Sequence, residues 1–278
     1  MRTVIQIVLI SCAIAALGED IPFKAPQQDD YATAMRAVAA KFKGTPGVYI
    51  QIGDSITYAN QNTAWARGGQ GHSPAVQQFL KWSHRGEKNQ SDGWWLAADD
   101  QPGNRSHTAA SGVRANEYLA GGKGGLPPLA EIIKKYNPQL ALYMLGTNDI
   151  NGGRKVSAYI ADVEKALDLL MDNGTIPILS TLPPIRGKTA QVDEFCKALR
   201  ELAAKKKIPL LDLNAEMKAR AGDQMESAYL GGDGVHLSFP NAAGPATDEN
   251  LKRSGYLLRC YMAVYKGMEV KAKVLDGL

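Results

Sequence analysis

The chain has 278 residues, 45% hydrophobic and 22% charged, enough apolar content for one well-buried core and unlike a disordered or fibrous composition. The formal net charge of +4 is small for this length, with basic residues spread among acidic ones. The densest basic run, Lys205-Lys206-Lys207, closes a predicted helix without any nucleic-acid-binding motif, so a nucleic-acid partner is not expected.

In chain order, the N-terminus predicts a targeting segment. Arg2 gives a positive start, Val4 to Ala16 is mostly apolar, and Ala16-Leu17-Gly18 supplies small residues for cleavage. This reads as a signal peptide over residues 1–18, leaving 19–278 as one secreted or periplasmic domain. The apolar run is too short to span a bilayer, so stable membrane insertion is not expected. Leu9-Ile10-Ser11-Cys12 offers a second option, a lipobox with Cys12 lipidated, although the apolar stretch before Cys12 is short for one. Of the remaining cysteines, Cys196 and Cys260 are either a disulfide of an oxidising compartment or a pair of buried thiols. Neither has metal-site spacing, and no metal or organic cofactor is expected.

Tyr31 to Phe42 carries Tyr31, Met35, Val38, Ala39 and Phe42 at helical spacing before the stop Gly44-Thr45-Pro46-Gly47. Val48 to Ile52 then reads as a central strand ending at Gly53. The pattern recurs at Leu140 to Leu145, Ile176 to Leu182 and Ile208 to Leu213. Helical periodicity fills the intervals: Val113 to Leu119, Leu129 to Tyr136, Val156 to Asn173 and Ala190 to Lys207, with a closing helix over Asp248 to Lys266. Short apolar strands alternating with helices predict an α/β fold with a parallel sheet covered on both faces. Asn60 to His107, rich in Gly, Asn, Asp and Ser, fits that alternation poorly and reads as a long loop insertion at the mouth of a site.

Four short segments carry candidate chemistry. Gly53-Asp54-Ser55-Ile56-Thr57 follows the first strand, where ligands gather in open parallel sheets, and Ser55 stands as a nucleophile should. A Ser capping a helix is the plainer alternative, and the G-x-S-x-G elbow is absent because Thr57 replaces its second Gly. In Asp233-Gly234-Val235-His236 a carboxylate three residues before an imidazole can fold back to hold Nδ1, leaving Nε2 to take a serine proton; a turn Asp beside a structural His has the same spacing. Gly146-Thr147-Asn148-Asp149 follows the second strand and reaches the same sheet edge. Asn148 there could donate its amide to an oxyanion, a contact worth about 3 to 4 kcal/mol, or simply make a turn. Ser111-Gly112 precedes a helical pattern, and the Gly112 N–H would be a second donor.

Taken in order, these segments resemble the SGNH, or GDSL-type, hydrolase family. Gly53-Asp54-Ser55 matches its first block, Ala110-Ser111-Gly112 its second, Gly146-Thr147-Asn148-Asp149 its third and Asp233-Gly234-Val235-His236 its last, over roughly Val48 to Ser238. The second block departs from the family pattern, since Asn104 and His107-Thr108-Ala109 stand where an Asn and a Gly usually precede it. The resemblance implies a flavodoxin-like three-layer α/β/α sandwich with Ser55 as nucleophile, His236 as base and Asp233 orienting it. It also implies an oxyanion hole built from Ser55, Gly112 and Asn148.

Outside these blocks, His72, His84 and His107 with Asp92, Asp99 and Asp100 lack ligand-pair spacing and read as polar loop residues. Trp82, Trp94 and Trp95 read either as a platform for a sugar ring or as anchors of the loop. Gly121-Gly122-Lys123-Gly124-Gly125 lacks the phosphate-loop spacing and reads as a turn. The expected function is a secreted serine esterase removing a short acyl group, acetyl above all, from a small-molecule or polysaccharide ester. A lysophospholipase or thioesterase is the alternative within the class, and a non-catalytic carbohydrate-binding protein the alternative outside it.

Overall fold

The computed structural model describes residues 23–28, 30–83 and 102–276. The expected signal peptide over residues 1–18 and Cys12 lie outside the described residues, as do His84, Trp94, Trp95, Asp92, Asp99 and Asp100. Among the described residues four strands, β1 (Tyr49–Gly53), β2 (Leu140–Met144), β3 (Ile176–Ser180) and β4 (Leu210–Leu211), form one parallel sheet in the order β1-β2-β3-β4. All of their residues are buried, as strands between two helical layers must be.

β4 is shorter than the expected Ile208 to Leu213. The Pro209 nitrogen has no hydrogen to donate, although its carbonyl still accepts from the Leu179 N–H at 2.9 Å. On the other side, Asp212 leaves the ladder to cap the helix Leu213–Ala221, accepting from the Ala215 N–H at 3.2 Å.

Helices Ala115–Ala120, Leu129–Tyr136, Val156–Asp172 and Thr189–Lys206 adjoin one another as one layer. The other layer includes Ala32–Ala39 and the long closing helix Gly255–Val270, buried along nearly its whole length. Instead of one closing helix from Asp248 there are two, Asp248–Leu251 and Gly255–Val270. Each has its own hydroxyl cap: Thr247 accepts from Asn250 N at 3.2 Å and Ser254 from Leu257 N at 3.4 Å.

The expected loop over Asn60–His107 requires a correction in its first part. Asn60–Thr63 is a 3₁₀ turn, and helices Ala64–Gly68 and Pro74–Ser83 follow, all packed on Gly255–Val270. Val76, Phe79, Leu80 and Ser83 form a buried stripe at helical spacing, and Trp65 is buried too. Cys196 and Cys260 are both free thiols, buried on separate helices, and burial pushes each up to about 12. Among the described residues no helix is long and apolar enough to cross a membrane.

Candidate active site

The end of β1 sets the first half of the site. A Cβ on Gly53 would lie 1.9 Å from Thr57 Oγ1 and 3.0 Å from the Met144 carbonyl, so only glycine lets the chain turn here. Asp54 then caps the four-residue helix Ser55–Tyr58, its Oδ1 accepting from the Ile56 N–H at 3.0 Å. Ser55 is thereby held at the carboxyl edge of the sheet, half-buried.

The second half comes from the loop between Leu230 and Leu237, closed by a bridge between those two residues and by Gly231 N donating to the His236 carbonyl at 2.7 Å. Within it the Asp233 carboxylate folds back on its own loop. Oδ1 accepts from the Val235 and His236 N–H groups at 3.0 and 2.9 Å, and Oδ2 lies 2.6 Å from His236 Nδ1. The His236 ring and these amide donors hold the Asp233 carboxyl down at about 2. An ionised Asp233 can only accept, so Nδ1 carries the proton and Nε2 is left as an acceptor. His236 Nε2 lies 2.8 Å from Ser55 Oγ, joining residues 181 positions apart.

A third segment reaches the same edge by a route the sequence did not announce. Ala109 bridges Gly53 in parallel fashion, Ala110 N donates to the Gly53 carbonyl at 3.3 Å, and Thr108 Oγ1 donates to the Gln51 carbonyl at 2.7 Å. Residues 108–110 thus run along the free edge of β1, and two residues later Gly112, with φ +73°, turns away from the sheet. Ser55 stands two residues beyond Gly53 in the same way. Among the described residues, neither the Ser55 nor the Gly112 N–H has an intramolecular acceptor.

Asn148 enters from the end of β2, on the helix Thr147–Asn151. Its Nδ2 donates to Asp54 Oδ2 and to the Val113 carbonyl, both at 3.2 Å, so one amide ties the first, second and third segments together. Both contacts are at the long end of hydrogen-bond range, and an oxyanion could replace the one to Val113. Neighbouring Asp149 fixes this arrangement by accepting from Ala115 N at 3.1 Å and from Arg154 Nη1 at 2.6 Å. Asp54 is fully buried, and desolvation raises its carboxyl to about 6 against the opposing pull of the Ile56 N–H, Arg259 and His236.

Ser55, Ser111 and His236 open onto a cavity of about 310 Å³ also walled by Tyr58, Gln61, Leu237, Phe239 and Tyr256. Phe239 is 58% exposed, and at the rim of this cavity it is an apolar surface left to solvent. The sequence reading missed Asp54 as the partner of Asn148, and missed Phe239 and Tyr256 as wall residues. Proximity of Phe239 to His236 in the chain was the one available signal.

Other candidates lie elsewhere. His72 packs its ring on Trp65 with Nε2 3.0 Å from the Trp65 carbonyl, and burial lowers its pKa. His107 Nδ1 is 3.2 Å from the Tyr136 hydroxyl. Trp82 packs on Phe79, with Lys271 Nζ over its ring, and does not line the Ser55 cavity. Among the described residues no group of three or more His, Cys, Asp or Glu is placed to hold a metal ion.

A profile for the GDSL-like Lipase/Acylhydrolase family matches residues 52–244, which include all four segments. No curated protein matches the chain. Among solved structures, a carbohydrate esterase family 3 protein from Talaromyces cellulolyticus is 17% identical with a TM-score of 0.53, covering 80% of this chain and 97% of its own. A GDSL-like lipase from Bacteroides thetaiotaomicron is 15% identical, TM-score 0.49, covering 86% and 98%. A lipase/acylhydrolase from Enterococcus faecalis is 18% identical, TM-score 0.47, covering 80% and 95%. With the parallel sheet, its flanking helices and the matched span in agreement, the chain belongs to the GDSL-like lipase/acylhydrolase family.

Proposed function

We propose that the protein is an exported serine esterase that removes a short acyl group, acetyl above all, from a carbohydrate ester. The observation that carries this reading is the hydrogen-bonded chain from Asp233 through His236 to Ser55, at 2.6 and 2.8 Å. Ser55 Oγ attacks the ester carbonyl as its proton passes to His236 Nε2, and Asp233 holds the resulting imidazolium. The oxyanion takes the Ser55 and Gly112 N–H groups and the Asn148 amide. His236 then returns the proton to the departing alkoxide, leaving the acyl group on Ser55 Oγ. A water, deprotonated by His236, adds to that acyl group and expels the serine, releasing the acid.

The substrate class rests on the shape and lining of the cavity. Polar Gln61 and Ser111 share its wall with Tyr58, Leu237 and Tyr256, and a small cavity of mixed lining suits a short acyl group better than a fatty chain. Exposed Phe239 offers a flat apolar face at the rim, where a sugar ring would lie. The Talaromyces carbohydrate esterase shares the fold, and that likeness agrees with the proposal without carrying it. Export, by cleavage after Gly18, and a single domain over 19–278 complete the reading.

Labelling with a fluorophosphonate followed by peptide mass spectrometry tests the site. Modification of wild type on Ser55 at one equivalent is expected, and slower labelling of Asp233→Asn. Modification confined to other residues, or none, rejects the proposal.

A further inference from the structure

Two buried polar residues on different elements meet in the core. Gln51 lies inside β1 and Arg259 inside Gly255–Val270, and both are fully buried. Among the described residues no carboxylate lies in ion-pair range of the Arg259 guanidinium. Its hydrogen bonds go instead to neutral acceptors: Nη1 to Gln51 Oε1 at 3.3 Å and to Asn62 Oδ1, and Nη2 to Thr57 Oγ1 at 2.9 Å. Asn62 in turn donates Nδ2 to Gln51 Oε1 at 2.8 Å and to the Thr57 carbonyl at 3.1 Å.

As a device for stability this cluster is poor. A buried cation carries a large desolvation cost that well-packed apolar residues avoid, and Arg259 Nε and Gln51 Nε2 still lack partners. What the cluster does hold is Thr57, by its hydroxyl and by its carbonyl. Thr57 Oγ1 is seated against Gly53, so the two residues that bracket the Asp54-Ser55 turn are fixed with respect to each other. A four-residue helix has little stability of its own, and its anchorage decides where Ser55 Oγ stands relative to a histidine on a distant loop.

We infer that Arg259 is a positioning residue for the nucleophile, holding the Ser55–Tyr58 turn through Thr57 and presenting a buried positive charge to the site behind it. This rests on the esterase reading above. The charge acts on the group that orients Asn148. Asp54 is faced by Arg259 from the closing helix, by His236, by Asp149 beside Asn148, and by the phenols of Tyr256 and Tyr159. Arg259 favours the ionised form that accepts the Asn148 amide, and the same positive potential favours an oxyanion at Ser55.

The test is the pH dependence of kcat and KM for ethyl acetate hydrolysis, measured on wild type, Arg259→Met, Arg259→Lys and Thr57→Val, with circular dichroism to verify folding. For Arg259→Met, kcat is expected to fall about tenfold or more with KM within about twofold. Its acidic limb should move up by about half a pH unit. Arg259→Lys should restore the limb while recovering kcat only in part, because one ammonium cannot reach all three acceptors. Thr57→Val should lower kcat and leave the limb in place, since the charge remains. A folded Arg259→Met with wild-type kcat and limb overturns the inference. Should that variant not fold, wild-type kcat in both Thr57→Val and Arg259→Lys overturns it. An inactive wild type overturns the esterase reading as well, whereas an active wild type with unaffected variants overturns this inference alone.

Discussion

Asn148 donates its side-chain amide to the buried carboxylate of Asp54 at 3.2 Å, so the segments that follow β1 and β2 are tied to each other beside Ser55. The amide needs such a partner. An Asn side chain presents two donors and an acceptor, and an acceptor-only carboxylate fixes which way it faces.

Replacing Asp54 by Asn removes that instruction, and kcat should fall about 10- to 100-fold. Stability should respond in the opposite sense above pH 6. Burial raises Asp54 from its ordinary 3.8 to about 6, so between those values the native state holds a proton that the unfolded chain has released. Stability of the wild type therefore falls as pH rises through that window, by up to about 3 kcal/mol from this group. Urea unfolding at pH 4 and pH 7 should show a smaller loss for Asp54→Asn than for wild type. An identical loss would remove Asp54 as its source.

Asp233→Asn should retain the fold, because the Asp233 side chain is about half exposed and His236 is only partly buried, while kcat falls by about 10⁴ through loss of the productive tautomer. With its carboxyl held at about 2, Asp233 stays ionised down to well below pH 4, and its contribution to folding is present above its ordinary value and lost only as pH falls toward 2. An acidic limb of activity above pH 4 that vanishes in Asp233→Asn without loss of amplitude would contradict this assignment.

If Asn148 serves the proposed oxyanion, Asn148→Ala should lower kcat by about 10² to 10³ with little change in KM, because that contact strengthens only as the substrate oxygen gains charge. Steady-state kinetics on an acetate ester decide this. A rise in KM at constant kcat would make Asn148 a binding residue.

Two glycines should fail for different reasons. At Gly53 an added methyl meets Thr57 Oγ1 at 1.9 Å, so Gly53→Ala should displace the nucleophile turn, costing about 1–3 kcal/mol of stability and most of the activity. At Gly112 the nearest atom is the flexible Lys123 side chain at 3.5 Å, and the cost of Gly112→Ala is the positive φ, about 1–2 kcal/mol. Thermal unfolding and kcat measured together distinguish clash from strain.

The segments that meet at Ser55 were legible because each is local: a strand that ends in Gly-Asp-Ser, and a carboxylate three residues before an imidazole, fix short-range geometry with few alternatives. The strands β1 to β3 were legible as apolar runs between turn residues. Residues 108–110 were not, since three residues along a sheet edge carry no periodicity. The helix Pro74–Ser83 did carry its signal in Val76, Phe79, Leu80 and Ser83, but the glycines and polar residues before it suggested a loop. The Gln51, Thr57, Asn62 and Arg259 cluster was invisible for another reason, because its partners are up to 208 positions apart. Only Gln51 inside an apolar strand hinted at it, since Arg259 shares its helix with Lys266 and Glu269.

The central claim is that Ser55 is the nucleophile, and the direct measurement is the rate of acetate release from a chromogenic acetate ester by wild type and Ser55→Ala at equal concentration. Loss of about four to six orders of magnitude in kcat, with the far-ultraviolet spectrum unchanged, is the result predicted. A folded Ser55→Ala that hydrolyses the ester at the wild-type rate would contradict it.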